Sequence, residues 1–194
     1  RVVEVGESSI ELAFDEGHIE AGAERWPVCE LELELVHGRP EDLVAEAARW
    51  AELHGLWLDV RSKAERGERL ASGQRIAPAR RAGRLVLPRD IEAGAALRAT
   101  IAHCLQAVLS NASEVAAASY EDEHVHQLRV GLRRLRTALR FFGGDGSGLD
   151  PAWASGLATL FQHLGAARDR AALAEALVPQ LEQAGAPLTT LPPL

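Results

Sequence analysis

His126-Gln127-Leu128-Arg129-Val130-Gly131-Leu132-Arg133-Arg134-Leu135-Arg136-Thr137-Ala138-Leu139-Arg140 carries two interleaved patterns. On a helix that turns about 100° per residue, His126, Arg129, Arg133, Arg136 and Arg140 share one arc of about 80°. Leu128, Leu132, Leu135, Leu139 and Phe142 fill a neighbouring arc and are expected to face a helical core. Arg134 belongs to the same basic segment but lies off the stripe. Residues 124–142 hold five Arg, two His and no acid. The helix is predicted from about Glu121 to Phe142, with a C-cap at Gly143-Gly144. Like charges at i,i+4 each disfavour a helix by a few tenths of a kcal/mol, so a compensating anion is expected. Arginine suits phosphate because its planar fork donates two parallel hydrogen bonds and stays charged. Helical turns roughly 5 Å apart match an extended chain of anions better than one compact group. The alternatives are a solvated charged face, salt bridges to neighbouring helices, and a surface or core role for His126.

Outward from this helix the chain divides into two halves. From Ile91 onward the pattern is helical, with Leu97, Ile101, Leu105, Val108 and Leu109 forming one stripe. Pro151–Leu164 and Ala167–Ala184 read as a further helical pair, and the tail Pro187–Leu194 has three prolines and little pattern. The first ninety residues read mostly as strands. Ile10, Leu12 and Phe14 alternate with Glu11, Ala13 and Asp15, and Asp15-Glu16-Gly17 resembles a hairpin turn before His18-Ile19-Glu20. Cys29, Leu31, Leu33 and Leu35 alternate more strictly with Glu30, Glu32 and Glu34. Pro40–His54 is predicted helical, with Pro at its start and Glu41 and Asp42 in its first turn. Leu56–Val60 is expected to form a short strand. Residues 71–90 lose periodicity and collect Gly, Pro and Arg, the composition of a linker.

Composition narrows the functional classes. The 194 residues carry a net charge of −7, which argues against a general nucleic-acid binder. Residues 1–90 hold 13 Lys/Arg against 18 Asp/Glu. A cationic patch inside an acidic chain favours a specific anion over non-specific ones. No apolar run approaches the roughly 20 residues that span a bilayer, and no secretory signal opens the chain. Cys29 and Cys104 have no metal-ligand spacing and are expected to be buried free thiols in a reducing cytoplasm. The chain lacks Met and opens at Arg1, so it reads as a piece of a longer protein.

The stretch His126 to Arg136 resembles the signature helix of the CHAD (conserved histidine α-helical) domain. Leu164-Gly165-Ala166-Ala167-Arg168-Asp169 is similar to that family's L-G-x-x-R-D segment. The resemblance implies a helical bundle of two pseudo-repeated halves that binds inorganic polyphosphate. Carried onto this sequence, it implies polyphosphate contacts by His126, Arg129, Arg133, Arg134, Arg136, Arg140 and Arg168. Arg168 and Asp169 could instead form an internal ion pair. The family's second basic repeat is not in this sequence, so a complete binding channel is not expected from these residues alone.

Glu30, Glu32 and Glu34 share one strand face, about 6.8 Å apart in succession. Turned into a barrel, such carboxylates suit a hard divalent cation; turned to water, they form the wet face of an antiparallel sheet. Residues 1–70 resemble the C-terminal half of a CYTH domain, the triphosphate tunnel fold. The matching segments are Ile10-Glu11-Leu12-Ala13-Phe14-Asp15, Cys29 to Leu35, and Ser62-Lys63-Ala64-Glu65-Arg66-Gly67. The resemblance implies metal binding (Mg²⁺ or Mn²⁺) by Glu30, Glu32 and Glu11, and triphosphate contacts by Lys63 and Arg66. Lys63 could also be an ordinary surface lysine. The family's opening E-x-E-x-K strand is not in this sequence, so the tunnel is expected to be incomplete.

The expected architecture is α+β, an N-terminal antiparallel β unit followed by a helical bundle. The expected divisions are 1–76 (CYTH-like), 77–90 (linker) and 91–194 (CHAD-like). This order resembles bacterial two-domain proteins taken to be triphosphatases with a polyphosphate-binding module. The partners implied are polyphosphate or triphosphate, with no membrane, in the cytoplasm and in association with polyphosphate granules. Three functions stay open: phosphate-chain binding beside an incomplete hydrolase, an active triphosphatase with its tunnel completed elsewhere, and a scaffold for an acidic protein.

Overall fold

A computed structural model of the chain describes residues 1–143 and 148–185; the side chains of 167–175, 178 and 182 lie outside the described set. The residues group into two units, Arg1–Ala77 with Ala116–Ser119, and Pro78–Val115 with Tyr120–Leu194. An antiparallel sheet followed by helices makes the α+β class expected from the sequence.

In the first unit, β1 (Val2–Val5), β2 (Ser8–Ala21) and β3 (Glu24–His37) form an antiparallel meander in that order. Among the described residues the sheet has three strands and is not closed into a barrel. Asp15-Glu16-Gly17 is not a turn: β2 runs straight through it, with Asp15 opposite Glu30 and Gly17 opposite Val28. The chain reverses instead at Gly22, whose φ of +62° suits glycine at a tight hairpin. The pairing is continuous from Ile10 to Ala21, past a single register shift at Ser9/Ile10, and this long ladder outweighs the local turn preference of Asp-Glu-Gly.

Helix α1 (Pro40–His54) follows, with Pro in its first turn and a left-handed Gly55 cap donating to Ala51 O. Its entry is pinned by buried Ser8, whose Oγ donates to Asp42 at 2.6 Å and accepts from the Arg39 N–H at 2.9 Å. Leu56–Val60 forms no strand. Apolar character alone does not make a strand. Helix α2 (Lys63–Ala71) is capped by Ser62, which accepts from Glu65 N at 3.1 Å.

In the second unit, α3 (Ala93–Ala116), α4 (Asp122–Phe142) and α5 (Pro151–Gln183) pack together. Val108, Leu128 and Leu132 form one buried cluster, with Leu157, Phe161 and Leu164 against it. Cys104, Leu135 and Leu139 form another, joined by Ile101, Leu105 and Leu157. The leucine arc of α4 therefore faces the core, as its spacing predicts. A Cβ at Gly131 would stand 2.8 Å from Val108 Cγ2, so glycine sets the close approach of α4 to α3.

Three expectations change here. The helical pair after Pro151 is a single helix, because Gly165 sits in its interior between good helix formers. Gly143 ends α4 in extended backbone (φ −72°, ψ 122°) rather than in a left-handed cap, its N–H reaching Leu139 O at 2.7 Å. Gly144 and the tail from 186 onward lie outside the described residues. Cys104 is buried as expected, whereas Cys29 is exposed, because the sheet is uncovered at that point.

Candidate phosphate-binding sites

The α4 stripe begins from a well-founded helix start. Glu121 and His124 form a reciprocal capping box, and Asp122 and Glu123 sit in the first turn. His124, buried to 1% exposure, is therefore a structural histidine, while His126 stands half-buried on the stripe. Arg129 and Arg136 are half-buried, and Arg133 and Arg140 are exposed.

Arg129 and Arg136 converge on one aromatic ring. Their guanidinium carbons lie 4.6 Å and 5.4 Å from the centroid of Phe161 on α5. Arg129 Nη1 also donates to Phe161 O at 3.3 Å. Among the described residues, no carboxylate pairs with Arg129, Arg133, Arg136 or Arg140. Arg134 turns away: its Nη1 donates to the carbonyls of Ala82 and, at 2.9 Å, of Gly83. His103 Nε2 meets the same Gly83 carbonyl at 3.0 Å, so both side chains tie down the segment before α3. The Arg168 side chain lies outside the described set.

The first unit holds a second cluster. The register sets Asp15 beside Glu30 and Ala13 beside Glu32 on one face. The carboxylate oxygens of Asp15, Glu30 and Glu32 lie within 4.8 Å of one another. Glu11 faces the same way but pairs with Glu34, four residues along β2 from Asp15, so it stands apart from this group. Helix α2 lies against the Asp15 end of the face, where a Cβ at Gly67 would be 3.3 Å from Ile19 Cγ2.

From α2, Lys63 Nζ reaches Asp15 at 2.5 Å, Glu30 at 2.7 Å and Glu32 at 2.5 Å. Buried Arg66 pairs with Glu30 at 2.5 Å through Nη2, while its Nε has no hydrogen-bond partner among the described residues. Burial alone would raise the Glu30 carboxyl; hydrogen bonds from Lys63 and Arg66 outweigh it and hold the group below the ordinary carboxylate range. The carboxylates hold the Lys63 ammonium well above its ordinary value.

Glu30, Glu32, Lys63 and Arg66 edge a cavity of about 800 Å³, walled on its apolar side by Phe14, Trp26 and Trp57. Arg61 stacks near both tryptophans, 6.0 Å and 5.7 Å from their centroids, and pairs with Asp59 at 2.8 Å. Three carboxylates at such spacing match the all-oxygen donor set of a hard divalent ion. In this arrangement the Lys63 ammonium supplies the positive charge among them. Asp15, Arg61 and Phe161 escape a reading of motifs. Only the pairing register could have picked out Asp15, and nothing local marks Phe161.

Residues 99–194 match the family model of the CHAD domain. Over 73 residues the chain is 38% identical to an inorganic triphosphatase of Haemophilus influenzae, a match that takes in 38% of this chain and 21% of the relative. The chain thus spans about a fifth of the length of the curated relative it matches. No described helix is long and apolar enough to cross a membrane.

Proposed function

We propose that the CHAD domain of this chain binds inorganic polyphosphate along α4, through His126, Arg129, Arg133, Arg136 and Arg140. The observation that carries the reading is the set of four guanidiniums without a carboxylate partner among the described residues, in a chain of net charge −7. Such a row of like charges calls for an anion, and phosphate accepts the guanidinium fork in bidentate geometry. One turn of about 5.4 Å separates successive arginines, a repeat suited to a linear polyanion. Arg134 is engaged elsewhere and contributes long-range charge rather than a contact. Arg168 is a further proposed contact.

The functional division follows residues 1–76, 77–90 and 91–194, and the setting is the cytoplasm, with polyphosphate granules as a destination. The test is retention of the protein by polyphosphate on a native gel. Arg133→Ala with Arg136→Ala should abolish the shift, and unchanged retention would sink the assignment. Competition by a polyglutamate peptide as strong as by polyphosphate would favour an acidic protein partner instead.

A second reading concerns the first unit and is favoured by the Lys63 cluster. Asp15, Glu30 and Glu32 would hold Mg²⁺ or Mn²⁺, and Lys63 and Arg66 would contact a triphosphate. The metal would supply charge neutralisation and orient water for phosphoanhydride hydrolysis. Lys63, released from the carboxylates, would turn to the phosphate oxygens. Arg66 is held by burial and by Glu30, so its fork would present a fixed cationic edge to the cavity. With the sheet unclosed, weak turnover is expected from these residues alone.

A further inference from the structure

Phe161 and Gly165 lie one turn apart on α5, and both meet the guanidinium of Arg129. The Phe161 ring also stacks with Arg136, and the Phe161 carbonyl accepts from Arg129 Nη1. A Cβ at Gly165 would stand 2.6 Å from Arg129 Nη1 and 3.5 Å from Cζ. The buried bare backbone of Gly165 is thus the floor on which that guanidinium rests.

We propose that Phe161 and Gly165 are positioning residues that preorganise Arg129 and Arg136 as a single phosphoryl subsite. This rests on the phosphate-chain reading of α4 and identifies where on the stripe a short chain docks first. A ring beneath a guanidinium covers its face; apart from the Arg129 Nη1–H given to the Phe161 carbonyl, the in-plane N–H donors are left for an anion. A cation already held in place loses less side-chain freedom on binding than one waving in solvent. Arg133 and Arg140 are exposed and lack such a support among the described residues, so they extend the site for longer chains.

Gly165→Ala separates this role from a purely structural one. Alanine is the better helix former, and the atom it would crowd is the far end of a flexible side chain. The expected result is a melting temperature equal to or above wild type, with affinity for tripolyphosphate, measured by titration calorimetry, roughly tenfold weaker, as for a lost charged hydrogen bond. Phe161→Leu should weaken tripolyphosphate similarly, and Phe161→Tyr should restore it. Arg129→Ala should cost more affinity than Arg133→Ala on tripolyphosphate, and the two should converge on long chains. Wild-type affinity in Gly165→Ala and Phe161→Leu, beside a weakened Arg129→Ala, would overturn the positioning role. If wild type binds neither tripolyphosphate nor long polyphosphate, the underlying reading of α4 fails instead.

Discussion

Lys63 and Arg66 stand one turn apart on α2, and both lean on Glu30, yet they meet it in different surroundings. Arg66 is buried, and its charge depends on Glu30 for compensation. Lys63 is more accessible and shares its charge among three carboxylates. The folded state depresses the Glu30 carboxyl, so Glu30 adds stability above its ordinary value of 4.5 and loses it as pH falls below that. Thermal melts across acidic pH should therefore show a steeper loss in wild type than in Glu30→Gln. At neutral pH the variant should be less stable by about 1.5 kcal/mol, the scale of a charged hydrogen bond. Coincident pH profiles would contradict the pairing. Lys63 has the opposite sign: its contribution is complete at neutral pH and fades only in strong alkali.

Among the elements, α4 carries its basic stripe on one face and its core leucines on the other. Its leucines alone specify the buried arc, and the capping box specifies its start. The approach to α3 depends on a missing side chain at Gly131. Gly131→Val should overpack that contact and cost about 1–3 kcal/mol in denaturant melts, although valine exceeds glycine in helix propensity. An unchanged or raised midpoint would refute so close an approach. Strand β3 taught the opposite lesson. Its strict alternation was legible, but whether its glutamates face water or partners was not. That depended on α2, whose Lys63 and Arg66 come from more than thirty positions away.

For the molecule as a whole, the two units carry the two proposed phosphate sites, one a row of arginines with no carboxylate partner among the described residues and one a carboxylate–ammonium cluster beside a cavity. If both act, tripolyphosphate with Mg²⁺ or Mn²⁺ should release phosphate slowly, and Glu30→Gln should abolish that release by at least tenfold. The same variant should leave polyphosphate retention by α4 intact. Release that survives Glu30→Gln would remove the carboxylate cluster from the chemistry.

The α+β order, the basic stripe of α4, the helix at Pro40–His54 and the CHAD-like signature were all decided by local periodicity and residue type. Those follow from the 3.6- and 2-residue repeats, which neighbouring residues alone express. Contacts across the chain decided the rest. The β2–β3 ladder overrode a turn-like triplet, Arg134, off the stripe, found backbone carbonyls, and Asp15 joined Glu30 through register. Phe161 and Gly165 came under Arg129 only because α5 packs against α4. A side chain's direction on its own element is a local property; the partner it meets there depends on where a distant segment comes to rest.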